Sequence, residues 1–206
     1  VFGAGNLSYN ILDNLNLTYR YGIDHFAEQQ EYQLNKGSVQ NDNYLNGLYR
    51  TRHITSTTYD QSVLLSMQQD VGEKITLDLL LGGSSVREIY TADGMESTNQ
   101  LVFGLLNHKN FSDHSTYNSF NDLPLQSQAV SNTVGAFGQL TASYSNFLFV
   151  NLSARNDWFS SLQPENRSQF YPSGSLSFIP SQLFEGLKTN AKFDLLKFRI
   201  GYGTSA

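Results

Sequence analysis

Apolar and polar side chains alternate along several stretches of this chain. Over 148–158, Leu148, Val150, Leu152 and Ala154 take the even places and Asn151, Ser153, Arg155 and Asp157 the odd ones. A period of two with one apolar and one polar face marks a strand set between two different environments. The stretch 134–144 alternates likewise and meets the first through Ser145-Asn146-Phe147, and a polar loop then leads to a third segment, 170–178. This predicts a hairpin, a loop and a returning strand. One such strand suits a soluble sheet as well as a membrane barrel, so the reading depends on whether the pattern repeats.

It does repeat. Leu7, Tyr9 and Ile11 alternate with Ser8 and Asn10, Asp13-Asn14 turns the chain, and Leu15, Leu17, Tyr19, Tyr21 and Ile23 alternate with Asn16, Thr18, Arg20, Gly22 and Asp24. A second hairpin runs through Tyr59, Val63, Leu65 and Met67, turns over 70–74, and returns through Ile75, Leu77, Leu79 and Leu81. A last strand carries Leu196, Phe198, Ile200 and Tyr202 against Lys197, Arg199 and Gly201. Eight strands are predicted in all. The stretch 26–49, rich in Gln, Asn and Gly, and the stretch 90–131 carry no period and are read as long loops, and 180–190 as a connection holding a helical turn. Shorter connections near 13, 70, 146 and 185 largely alternate with longer ones at 26–49, 90–131 and 159–169, although the connection over 180–195 is as long as one of the long loops. Outer-membrane barrels sort their turns and loops in this way, whereas a soluble sandwich has no reason to.

Composition strengthens that picture. The 206 residues include 12 Tyr, 14 Phe and 16 Gly, with 15% charged residues and mean hydropathy of -0.35, the average expected of strands with one oily and one wet face. No stretch of 18 apolar residues occurs, which excludes a transmembrane helix and leaves a transmembrane barrel open. The start Val1-Phe2-Gly3-Ala4-Gly5 has no basic region followed by an apolar one, so the chain is read as unexported or as a mature, internal piece. With no Cys there is neither a disulfide framework nor a thiolate metal site. A net charge of -5 without clustered Lys and Arg gives no electrostatic footprint for nucleic acid.

Four blocks carry a resemblance. Gly135-Ala136-Phe137-Gly138 with Ala142-Ser143-Tyr144, then 152–162 from Leu152-Ser153-Ala154-Arg155 through Asn156-Asp157-Trp158-Phe159, then Phe170-Tyr171-Pro172-Ser173-Gly174-Ser175, and finally Leu196-Lys197-Phe198-Arg199-Ile200-Gly201-Tyr202-Gly203 resemble the barrel of the SusC-like TonB-dependent transporters of Bacteroidetes. The resemblance implies an antiparallel, all-β transmembrane barrel of about 22 strands in the Gram-negative outer membrane. It also implies a plug domain, a SusD-like surface lipoprotein as lid, energy from the TonB complex, and glycans, oligosaccharides or peptides as cargo. Nothing here resembles the plug or the TonB box, and Gly203-Thr204-Ser205-Ala206 lacks the terminal aromatic of a complete barrel. Residues 1–206 are therefore expected to be part of the barrel domain, with plug and remaining strands outside them. The competing architectures are a soluble carbohydrate-binding β-sandwich and a stand-alone eight-stranded barrel acting as adhesin or pore. The latter requires Val1 and Phe2 to pair with the last strand near Tyr202.

Candidate site residues are few. Arg155 and Asp157 are expected on the polar, lumenal face as a charge pair between neighbouring strands that holds register, with substrate or lid contact as the sharper reading. Trp158 reads as an interfacial girdle residue, with a sugar-stacking platform as the alternative. His108 and His114, with Asp113 between them, fit no metal-ligand spacing and read as solvated loop side chains. Glu28, Glu31, Asp70, Glu73, Glu88, Asp93 and Glu96 offer carboxylates, yet no shaped cleft or raised acid pKa is legible for a glycosidase pair, and no Gly-x-Ser-x-Gly elbow is present. The chain is read as a non-enzyme without cofactor or metal.

Overall fold

The computed structural model describes residues 1–38, 45–184 and 195–205. They form β1 (Phe2–Leu12), β2 (Leu15–Leu34), β3 (Leu48–Val71), β4 (Ile75–Gln100), β5 (Phe111–Ser115), β6 (Tyr117–Asn118), β7 (Leu123–Pro124), β8 (Ser127–Tyr144), β9 (Leu148–Phe159), β10 (Ser168–Phe178), one helical turn α1 (Pro180–Leu183) and β11 (Phe198–Gly203). The strands β1, β2, β3, β4, β8, β9, β10 and β11 lie side by side in that order, β5 adds to β4, and β6 with β7 makes a separate ribbon. Each long strand neighbours the next long strand of the chain, the up-and-down order expected from the alternating stretches. The sheet is not closed: Val1 exchanges both backbone hydrogen bonds with His25 (2.6 and 2.7 Å), not with the strand that holds Tyr202.

Two stretches read as loops are in large part strand. β2 continues through 26–34 and β3 begins at Leu48; β4 runs on to Gln100 and β8 begins at Ser127. Residues 28–33 read Glu-Gln-Gln-Glu-Tyr-Gln, without alternation. Backbone pairing needs no alternation, and a strand with polar side chains on both faces gives no period to detect. The expected helical turn is α1; residues 39–44 and 185–194 of the expected connections lie outside the described residues.

The chain divides into two compact units, residues 1–3, 23–58 and 87–131 forming the first and residues 4–22, 59–86 and 132–206 the second. In the second, the register is continuous from β8 to β11. Leu140 faces Leu152, Ala142 faces Val150, Leu176 lies beside Val150 and Ile200, and Tyr202 beside Gly174. All of these share one face. Thr141 with Asn151, Gln139 with Ser153, and Ser175 and Ser177 beside Asn151 and Phe149 hold the other. Successive tight turns are tied together, Gln68 N–H donating to Asn14 O, Ser145 N–H to Lys74 O and Ile179 N–H to Phe147 O.

What this unit buries is the reverse of a soluble domain. Its apolar face is open, with Leu152 53%, Phe170 62%, Ile200 71% and Tyr202 76% exposed. The residues it does bury are Gly135, Asp157, Ser177, Pro180 and Ser181, and among the described residues no large apolar side chain of this unit is buried. A sandwich requires apolar faces to meet in a core. The first unit has a small core of Leu48, Ile54, Ala92, Phe111 and Leu125, together with buried polar groups.

Candidate functional site

The polar face of the second unit is a hydrogen-bonded surface. Asn16 Nδ2 donates to Asn10 Oδ1 (2.6 Å), Thr18 Oγ1 to Asn16 Oδ1 (2.9 Å) and Asn151 Nδ2 to Thr141 Oγ1 (2.8 Å), while the hydroxyls of Ser153 and Ser173 lie 2.6 Å apart. Of these pairs, Asn16–Asn10, Asn151–Thr141 and Ser153–Ser173 cross between strands, and such pairs stabilise a sheet and hold its wet face in one pattern. Asn10, Asn16, Ser66, Gln68, Asp78 and Gln139 line a groove on it.

Arg155 and Asp157 stand on this face of β9. Arg155 Nε donates to both carboxylate oxygens of Asp157, at 2.9 and 2.8 Å, so the pair joins positions two apart on one strand, not neighbouring strands as expected. Alternation places i and i+2 on the same side, and the guanidinium folds back along its own strand. Its Nη2 then reaches 3.1 Å to Ser84 Oγ on β4, crossing over β8 at Gly135. A Cβ at Gly135 would stand 2.7 Å from Arg155 Nη2 and 2.9 Å from Ser84 Oγ, so the bridge lies flat only over a glycine. Arg155 also stacks over the Phe137 ring, 5.3 Å from its centroid, and that ring in turn covers Gly82, where a Cβ would meet Phe137 Cε2 at 2.6 Å. Gly82 is thus the seat for an aromatic ring. The result is a hydrogen-bonded link from β9 over β8 to β4.

Trp158 does not join it. It pairs with Val134 and Ser168 on the apolar face, 44% exposed, one residue from the end of β9. Arg155 and Asp157 share a face and Trp158 points the other way.

The first unit gathers its chemistry around β4. Ser97, fully buried, has its Oγ 2.7 Å from His108 Nδ1 and 2.8 Å from His114 Nδ1, and His108 Nε2 lies 2.8 Å from Thr51 Oγ1. Of the two histidines predicted as solvated, His114 is exposed and His108 half-buried, and both are anchored on a strand: β5 pairs with β4, and that pairing carries His114 to Ser97. Burial lowers the His108 pKa, the nearby His114 lowers it further, and Glu31 partly opposes them. Hydrogen bonds from Asn99 and then Ser112 hold the Asp113 carboxyl below its ordinary range. Among the described residues no three His, Cys, Asp or Glu side chains gather as a metal site.

Glu96 is buried and ion-paired with Arg50; it also accepts from Ser119 N–H (3.0 Å), and Arg50 donates to Asn118 Oδ1 (2.8 Å). Asp93 accepts from Gln126 (2.8 Å), Asp70 from Thr76 (2.6 Å) and Glu28 from Gln30 (2.7 Å). Each of these four carboxylates has its own neutral or cationic partner. Arg50 and Ser84 escaped sequence reasoning because no motif marks them, and Gly135 entered it only within the block that carries the resemblance; strand pairing alone brings them to these partners.

No protein-family description matches the chain, and no curated protein matches it. Solved structures do. A chain of the RagAB peptide transporter is matched over 98% of this chain and 22% of that one, with 17% identity and a TM-score of 0.78. The RagAB peptide importer in its closed-closed and open-open states is matched with TM-scores of 0.74 and 0.71, identities of 16% and 18%, over 98% and 97% of this chain and 22% and 21% of those. The chain thus spans about a fifth of the length of the solved chains it matches. At such identities the likeness is one of fold: an antiparallel sheet similar to a segment of a β-barrel transporter.

Proposed function

We propose that this chain is part of the wall and outer loops of a SusC-like, TonB-dependent importer in the outer membrane, working with a SusD-like lipoprotein lid and drawing energy from the TonB complex. The carrying observation is the second unit, whose apolar side chains lie open on one face while its polar side chains bond to one another on the other. Hydrocarbon accepts the first face, a wet lumen the second, and in lipid every backbone group must find its partner within the wall. The likeness in fold to the RagAB peptide transporter supports the reading and favours peptides over glycans or oligosaccharides as cargo.

In this reading Arg155 and Asp157 hold β9 in place on the lumenal side, and Trp158 sits in the aromatic girdle at the membrane surface. The test is uptake. Cells with the gene for the full protein disrupted are given labelled short peptides or oligosaccharides, with and without collapse of the proton-motive force. Energy-dependent uptake of peptides is expected to be lost on disruption and restored by the intact gene. Uptake of both cargos unchanged by disruption refutes the reading; loss for oligosaccharides alone reverses the preferred cargo.

A further inference from the structure

Near the α1 end of the second unit a depression of about 340 Å³ is lined by Thr141, Asn151, Ser175, Ser177, Lys197 and Arg199, with Phe149 and Ile179 as its apolar wall. Register explains its chemistry. Ser177 lies between Phe149 on β9 and Arg199 on β11, and Ser175 lies between Asn151 and Gly201. Gly201 has no side chain to fill the space beside Ser175, and Lys197 comes onto the same face as Arg199 by alternation. Asn151 donates to Thr141 Oγ1, which leaves the Thr141 hydroxyl proton free to point elsewhere.

Ser177 is only 7% exposed and its Oγ has no hydrogen-bond partner among the described residues. A dry, unpartnered hydroxyl beside a basic depression is an unmet demand for a ligand atom. No described acidic side chain pairs with Lys197 or Arg199. Two cations and three hydroxyls, with no carboxylate among the lining residues, select a negatively charged group of small size. The depression accommodates a carboxylate and the few atoms attached to it.

We infer that this depression is a carboxylate-binding site, with Arg199 and Lys197 holding the charge and Ser177, Ser175 and Thr141 donating to its oxygens. The inference stands on the side chains and not on the transport reading. The carboxylate comes either from a free peptide-like ligand or from an Asp or Glu elsewhere in the same protein.

The experiment uses the full protein in detergent with N-acetylalanine as probe and N-acetylalanine amide as its uncharged twin, binding being followed by ligand-observed NMR. A free-ligand site binds the acid about tenfold more tightly than the amide, and Arg199→Gln and Lys197→Gln each weaken the acid about tenfold while Arg199→Lys retains part of it. In parallel, carbodiimide coupling followed by peptide mass spectrometry reads any carboxylate already seated against Lys197. Failure of the acid to bind, with Lys197 coupled to one Asp or Glu of the same chain, assigns the site to an internal carboxylate. Equal binding of acid and amide, binding insensitive to both Gln variants, or neither binding nor coupling overturns the inference.

Discussion

Gly135 decides whether the Arg155–Asp157–Ser84 bridge can form. Replacing it by Ala puts a methyl group where the guanidinium and the Ser84 hydroxyl already lie, at 2.7 and 2.9 Å, and both must move. We expect Gly135→Ala to destabilise the folded wall by about 1–3 kcal/mol, as overpacking does. Gly83→Ala serves as control, since its Cβ would meet only Gly135 O at an ordinary 3.7 Å and should change stability by less than about 0.5 kcal/mol. Heat denaturation of the full protein in detergent checks both. Equal midpoints for the two variants would mean that the bridge is not sterically tied to Gly135. Sequence reading reached Arg155 and Asp157 as polar-face residues from alternation alone, but their mutual pairing needed rotamers, and the third partner needed the lateral order of β4, β8 and β9.

At the scale of elements, the β8–β9 connection and the β4–β5 pairing make opposite kinds of demand. Ser145 and Asn146 both have left-handed backbones, with φ of 45° and 61°, and Phe147 N–H donates to Tyr144 O at 3.1 Å. This is the two-residue turn whose twist matches paired strands, and Asn146 suits it better than Ser145 does. Ser145→Val is expected to cost about 1–2 kcal/mol, because a branched side chain resists that conformation, and Asn146→Gly to be neutral or stabilising; urea titration of the full protein reads the difference. The tight turn was legible in sequence because its chemistry is local.

The β4–β5 pairing was not legible, since Ser97, His108 and His114 meet only after the chain folds back. There burial holds the His108 pKa below its ordinary 6.5, so the unfolded segment binds a proton more readily than the folded one. The stability this contributes is present above the unfolded value and is lost as pH falls through the lower folded value. Hydrogen exchange of the β5 amides is therefore expected to quicken as pH drops from neutral toward 5, after correction for the intrinsic rate, and His108→Gln to flatten that dependence. An unchanged profile in the variant would assign the effect to another group.

At the scale of the molecule, the question is which solvent each face of the second unit meets. Leu152 and Gln139 separate the possibilities: Leu152 lies open on the apolar face of β9, and Gln139, on β8, belongs to the polar face. If the apolar face meets hydrocarbon, Leu152→Lys costs about 2–4 kcal/mol near mid-bilayer, while Gln139→Lys changes stability little. Folding of the full protein into lipid vesicles, followed by guanidinium titration, measures both. Equal, small effects would remove the membrane from the account.

Residue order by itself determined the two-faced strands, their up-and-down succession and the tight turns, because a period of two and a turn residue are properties of neighbours in the chain. It missed the parts of β2, β3 and β4 that belong to the first unit: over 28–33 the side chains on both faces are polar, and elsewhere apolar residues such as Leu48 and Ala92 are too scattered to show a period. Only tertiary structure decided that Arg155 reaches Ser84, that Gly135 makes room for that bridge, that Ser97 collects two histidines, and that Arg199 lies beside Ser177. Each of these depends on which residue lies opposite which across a strand pair, and that register is set by the packing of the whole sheet.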